Sequence, residues 1–124
     1  MQRGARHTVR IGKGWYAAIA AVVGGLCYVN SLGNGFVFDD SAYIGHRVVR
    51  QLAVGEIFLE RWLQLDLYRP LTLLSLAFDF RLYGKEAGGY HLTNLLLHAV
   101  NCALFYFFAV QASGRGQAAL WAAL

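Results

Sequence analysis

The 124 residues are 57% hydrophobic and 15% charged, where a soluble domain usually carries about 25% charged residues, and the mean hydropathy is +0.41. Two stretches, 15–32 and 92–111, contain no Asp, Glu, Lys or Arg, and each is about long enough to cross a bilayer. This composition excludes a disordered chain, a coiled coil and a disulfide-stapled secreted domain, and it points to an all-α membrane protein.

The formal charge of +4 would suit a nucleic-acid binder if the basic residues were clustered on a soluble face, but their placement along the chain says otherwise. Arg3, Arg6, Arg10 and Lys13 lie in a basic tail, 1–14, that holds no acid. All seven acids fall between Asp39 and Glu86, in a segment, 33–90, that carries six basic residues. A basic tail before an apolar run is the positive-inside signal. It predicts a cytoplasmic N-terminus, a first transmembrane helix at 15–32, an extracytoplasmic loop at 33–90 and a second transmembrane helix at 91–111. Arg115 then marks a cytoplasmic turn at 112–117, and 118–124 reads as the start of a third span cut short, in a chain expected to continue past Leu124. A cleaved signal peptide shares the basic-then-apolar pattern, but this run is long for one and no small-x-small cleavage site follows it. Cys27 and Cys102 sit inside the two apolar stretches as small packing residues.

The loop is too long to be an unstructured connection. Asp40 or Ser41 can cap a helix through Leu52, with Tyr43, Ile44, Val48 and Leu52 as its apolar stripe, Arg47 and Arg50 turned elsewhere, and Gly55 as the break. Residues 56–65 form a second amphipathic stretch, with Ile57, Phe58 and Trp62 on the apolar side. Pro70 suits the first turn of a helix that runs to Tyr83, with Gly84 as the stop. Thr72, Ser75 and Asp79, spaced by three and four, share one face of it.

Three groups of residues can carry chemistry. Asp39 and Asp40, a few residues beyond the first span, can take a proton from a hydroxyl or hold a divalent cation, magnesium or manganese, beside a phosphate; the alternative is that they only cap the next helix. His91, Asn94, His98 and Asn101 occupy roughly an 80° arc of the second span. Such a stripe should face a cavity or another helix rather than lipid, and two His seven residues apart do not by themselves make a metal site. Arg69 stands at a helix start outside the membrane, where its guanidinium suits a lipid-linked phosphate; an ion pair with Asp66 is the alternative.

Asn34-Gly-Phe-Val-Phe-Asp-Asp40 after the first span, then Tyr68-Arg-Pro-Leu71, then Tyr90-His-Leu-Thr-Asn94 with His98, resemble in order, spacing and topology the beginning of a known family. These are the multi-pass O-mannosyltransferase-like proteins with C-terminal tetratricopeptide repeats, within the GT-C-fold glycosyltransferases. The resemblance covers about residues 15–124. It implies a truncated GT-C-type bundle and a polyprenyl- or dolichyl-phosphate-linked sugar as donor, with mannose or a similar hexose moved to a protein Ser/Thr or a glycan hydroxyl. Carried over, Asp39 is the base that activates the acceptor and Asp40 supports it or contacts the donor. Arg69 falls where the donor phosphate would lie, and His91, Asn94 and His98 are cavity-lining positions. The family includes metal-dependent and metal-independent enzymes.

The resulting expectation is an N-terminal fragment of a glycosyltransferase, inactive by itself, with the lipid bilayer, the donor and an acceptor as partners and no nucleic acid. The Ala/Gly/Arg-rich style leans to a bacterial plasma membrane, and an endoplasmic reticulum membrane would have equivalent topology. The alternative is a small non-catalytic membrane hairpin, an assembly or scaffold partner that docks through its His/Asn face.

Overall fold

In a computed structural model of the chain, residues 14–59 and 68–124 are described, and every regular element among them is helical. The basic tail, Trp62 and Asp66 lie outside the described residues. The helices are α1 (Gly14–Leu26), α2 (Asp40–Gly45), α3 (Arg47–Gln51), α4 (Val54–Leu59), α5 (Pro70–Tyr83), α6 (Ala87–Ser113) and α7 (Gly116–Ala123), with a 3₁₀ turn at Val29–Gly33 after α1. They form two compact units, 14–29 with 95–124, and 30–94, so α6 contributes its beginning to the second unit and its remainder to the first.

The first unit is held by small side chains. Ala17 and Ala20 of α1 are buried with Cys102, Tyr106 and Val110 of α6 and Ala119 and Ala123 of α7. Small residues let helix backbones approach closely where lipid supplies no hydrophobic drive for association. Gly24 shows how close: a Cβ there would lie 2.6 Å from the Cys102 sulfur. The expected continuous span at 15–32 is α-helical only to Leu26. The Tyr28 N–H then bonds the Gly25 carbonyl at 3.1 Å, tightening the chain into its 3₁₀ turn.

Gly14–Gly33 and Ala87–Ser113 are long and apolar enough to cross a membrane, yet only 22% and 17% of their most apolar windows are buried. A core helix of a soluble protein would be mostly covered, so the exposed Val22, Leu26, Leu96, Leu97, Leu104 and Phe108 are suited to lipid contact. The chain is an all-α membrane protein. Helix α6 starts four residues before the expected 91, and its 27 residues reach about 40 Å, beyond the roughly 30 Å hydrocarbon core. The early start brings its first turn against the end of α5. A Cβ on Gly89 would lie 2.2 Å from a Tyr83 ring carbon, so only glycine fits there.

The second unit packs α2, α3 and α4 on α5. Val48, Val49, Ile57, Leu73 and Ala77 form its core, flanked by Tyr43, Leu52, Leu76 and Phe80. The single helix expected from Asp40 to Leu52 is two helices. His46 is extended (φ −69°, ψ 140°), and its Nδ1 accepts a hydrogen bond from the Val48 N–H at 3.4 Å, which caps α3. The break before α4 falls at Leu52, not at Gly55. Leu52 adopts a left-handed conformation at the C-cap, its N–H bonded to the Val48 and Val49 carbonyls, while Gly55 lies inside α4. Arg47 and Arg50 do point away from the core: Arg47 pairs with Glu56, and the Arg50 guanidinium lies 5.6 Å from the centre of the Phe80 ring. Helix α5 runs from Pro70 to Tyr83 with Gly84 at φ 61° as its C-cap, as the sequence predicts.

Candidate functional site

The second unit contains a cavity of about 260 Å³ whose walls come from α2, α5, Arg69 just before α5, and the first turns of α6. Asp39, Asp40, Arg69, Thr72, Ser75, Asp79 and Asn94 supply its polar groups, and Tyr43, Ile44, Leu73 and Leu76 its apolar ones. Four of the residues singled out in the sequence, Asp39, Asp40, Arg69 and Asn94, thus share one space.

The two adjacent acids play different parts. The Oδ2 of Asp40 accepts a hydrogen bond from the Val37 N–H at 3.0 Å, and the Asp40 N–H bonds the Val37 carbonyl at 3.1 Å. These bonds close a tight turn, at the cost of a positive φ of 53° at Phe38, a strained backbone for a non-glycine residue. Asp39 occupies the N-cap of α2, but its side chain makes no capping hydrogen bond. Among the described residues its carboxylate has no hydrogen-bond or ion-pair partner, and it lines the cavity.

Arg69 is the N-cap residue of α5 and is exposed. Its guanidinium makes no ion pair among the described residues, although three carboxylates line the same cavity. It stands at the N-terminus of a 14-residue helix, where the backbone dipole also favours an anion.

Asp79 is the residue that the sequence placed on a shared helix face without assigning it a role. At 6% exposure it is the buried charged residue among those described. The Thr93 hydroxyl donates to its Oδ1 at 2.7 Å. Burial pushes its carboxyl above the usual carboxylate range, and the Thr93 hydrogen bond offsets part of that rise. An acid whose folded-state pKa is raised favours folding below its unfolded pKa, and that contribution is lost as pH rises through the folded value. Thermal unfolding measured from pH 4 upward is therefore expected to show Tm falling more steeply in the native protein than in Asp79→Asn; parallel profiles would mean Asp79 is not desolvated.

The polar arc of α6 does not act as one stripe. Asn94 lines the cavity, whereas His91 and His98 are not among its lining residues. The Nε2 of His91 is buried with no hydrogen-bond partner among the described residues. His98 belongs to the other unit, with its ring 4.8 Å edge-to-face from Tyr28 and its Nε2 3.7 Å from the Cys102 sulfur. No group of three His, Cys, Asp or Glu placed to hold a metal occurs among the described residues.

An all-α membrane protein with a cavity joining carboxylates to an arginine is the class that fold and site define. Comparison of sequences then supplies the relationship. The chain is 38% identical over 64% of its length to the protein O-mannosyl-transferase Tmtc3 of Drosophila melanogaster, covering 10% of that protein. It is 32% identical over 70% of its length to the protein O-mannosyl-transferase tmtc2 of Xenopus laevis, covering 12% of it, and 28% identical over 83% to TMTC4 of Mus musculus, covering 16%. The chain is related to one stretch of the protein O-mannosyl-transferases, as its motifs indicated, and spans about a tenth to a sixth of the length of these curated relatives. No family model matches the chain, and no solved structure matches it.

Proposed function

We propose that this chain forms the donor- and acceptor-binding beginning of a glycosyltransferase that moves a hexose, mannose or a close analogue, from a polyprenyl phosphate to a protein Ser/Thr or glycan hydroxyl. The observation that carries the reading is a single cavity lined by a carboxylate, Asp39, and a guanidinium, Arg69, neither of which has an ion-pair partner among the described residues. The relatives' names describe transferases.

In this reading Arg69, aided by the N-terminus of α5, grips the donor phosphate while the prenyl tail stays in lipid. The acceptor hydroxyl oxygen attacks the anomeric carbon as Asp39 takes its proton. The bond from that carbon to the phosphate oxygen breaks, its electron pair leaves with the polyprenyl phosphate, and the configuration inverts. Asp40 holds the turn that aims Asp39. Because Oδ2 of Asp40 is engaged by the Val37 N–H, a magnesium or manganese ion would have Asp39 and Oδ1 of Asp40 as its side-chain ligands. One or two carboxylates suffice when phosphate and water complete the shell, and such an ion would supply charge neutralisation of the phosphate. The loop carrying the cavity faces the extracytoplasmic side, with the basic N-terminus in the cytoplasm.

The reading is tested with the full gene product in membranes, supplied with a short-chain polyprenyl phosphate bearing labelled mannose and a Ser/Thr-containing peptide. Label in the peptide is the expected result; no transfer from any polyprenyl-phosphate hexose to peptide or glycan contradicts it.

A further inference from the structure

A buried carboxylate that neither pairs with a cation nor takes part in proton removal calls for an explanation, because removing a charge from water is costly unless it is compensated. Among the described residues Asp79 is in that position. The Thr93 hydroxyl satisfies Oδ1, Oδ2 has no hydrogen-bond partner among the described residues, and the side chain lines the cavity. The ion pair seen among the described residues, Arg47 with Glu56, does not involve it.

Its position relative to Arg69 is informative. Arg69, Thr72, Ser75 and Asp79 follow one another along one side of α5 and all line the cavity. Ten positions separate the first from the last, about 15 Å along the helix axis, so Arg69 and Asp79 mark the two ends of this row. The cavity is below the roughly 300–1,000 Å³ of sites for drug-sized ligands, so it suits a headgroup and not a lipid tail. One end therefore offers a cation for phosphate, and the other a carboxylate oxygen, with the Asn94 amide nearby, for groups that donate hydrogen bonds. The hydroxyls of a hexose are such groups.

Resting on the reading of the cavity as a polyprenyl-phosphate-sugar site, we propose that Asp79, held in place by Thr93, binds the hydroxyls of the transferred hexose and sets which hexose is accepted. A site built to accept a hydroxyl hydrogen bond discriminates strongly against a sugar that presents the hydroxyl in another direction, because the buried acceptor is then left unpaired.

The test measures binding to the full gene product, native and Asp79→Asn, of three probes: a short-chain polyprenyl phosphate without sugar, its mannosyl ester and its glucosyl ester. Asp79→Asn is expected to weaken the preferred sugar ester about tenfold to a hundredfold, to leave the sugar-free phosphate unchanged, and to bring the mannosyl-to-glucosyl affinity ratio close to one. That ratio does not depend on the folded fraction, so a partly unfolded variant still gives an answer. Equal weakening of all three probes, or an unchanged ratio, overturns the assignment of Asp79 while leaving the site itself standing. Failure of the native protein to bind any of the three overturns the site and the assignment together.

Discussion

Replacing Asp39 by Asn is expected to lower the turnover of sugar transfer about a hundredfold to ten-thousandfold, the range a positioned general base contributes, with donor affinity nearly unchanged. The substitution separates chemistry from folding for a structural reason. Asp39 is an N-cap residue whose side chain makes no capping bond, and Asn is as good as Asp at that position, so α2 should form equally well. Asp40→Asn should do less to turnover, since Asn keeps a side-chain oxygen that can accept from the Val37 N–H. Steady-state kinetics on the two variants, with Tm as the folding control, check this. Equal losses for both would place the base elsewhere and leave the pair a structural cap.

Arg69→Ala is expected to raise the donor KM about tenfold to a hundredfold, the worth of a charge-assisted hydrogen bond to phosphate, and to lower kcat as well, because the phosphate gains negative charge as the sugar leaves it. Arg69→Lys should recover part of the affinity, since the point charge persists while the two-pronged geometry is lost. Because Arg69 is exposed and has no ion-pair partner among the described residues, its removal leaves no buried charge behind and should shift Tm little. Measuring KM and kcat across a series of donor concentrations distinguishes this from a surface arginine, for which both would stay at their native values.

How much of this was legible in the sequence depends on whether a feature is local. Helix α5 was, because Pro70 and Gly84 mark its ends and nothing between them competes. The grouping of Thr72, Ser75 and Asp79 was also legible, since helical spacing fixes azimuth. The break at His46 was not: its ring accepts a backbone hydrogen bond two residues on, a local alternative to helix that the apolar period of Tyr43, Ile44, Val48 and Leu52 gives no sign of. The meeting of Asp39 and Asp40 with Arg69 was out of reach of any spacing argument, because it arises from the packing of α2 and α3 on α5 around Val48, Leu73 and Ala77. Azimuth without depth explains α6. His91, Asn94 and His98 share an arc, yet each lies at a different height, and only Asn94 is at the level of the cavity.

In the proposed function the headgroup of a polyprenyl-phosphate sugar sits in this cavity. The most direct measurement is photo-crosslinking of the full gene product with a mannosyl polyprenyl phosphate that carries a photoreactive group on the sugar, followed by mass spectrometry of the labelled peptides. Label is expected in residues 36–44 and 69–79, displaced by unlabelled donor and reduced in Arg69→Ala. Competable label confined to other parts of the protein would contradict it.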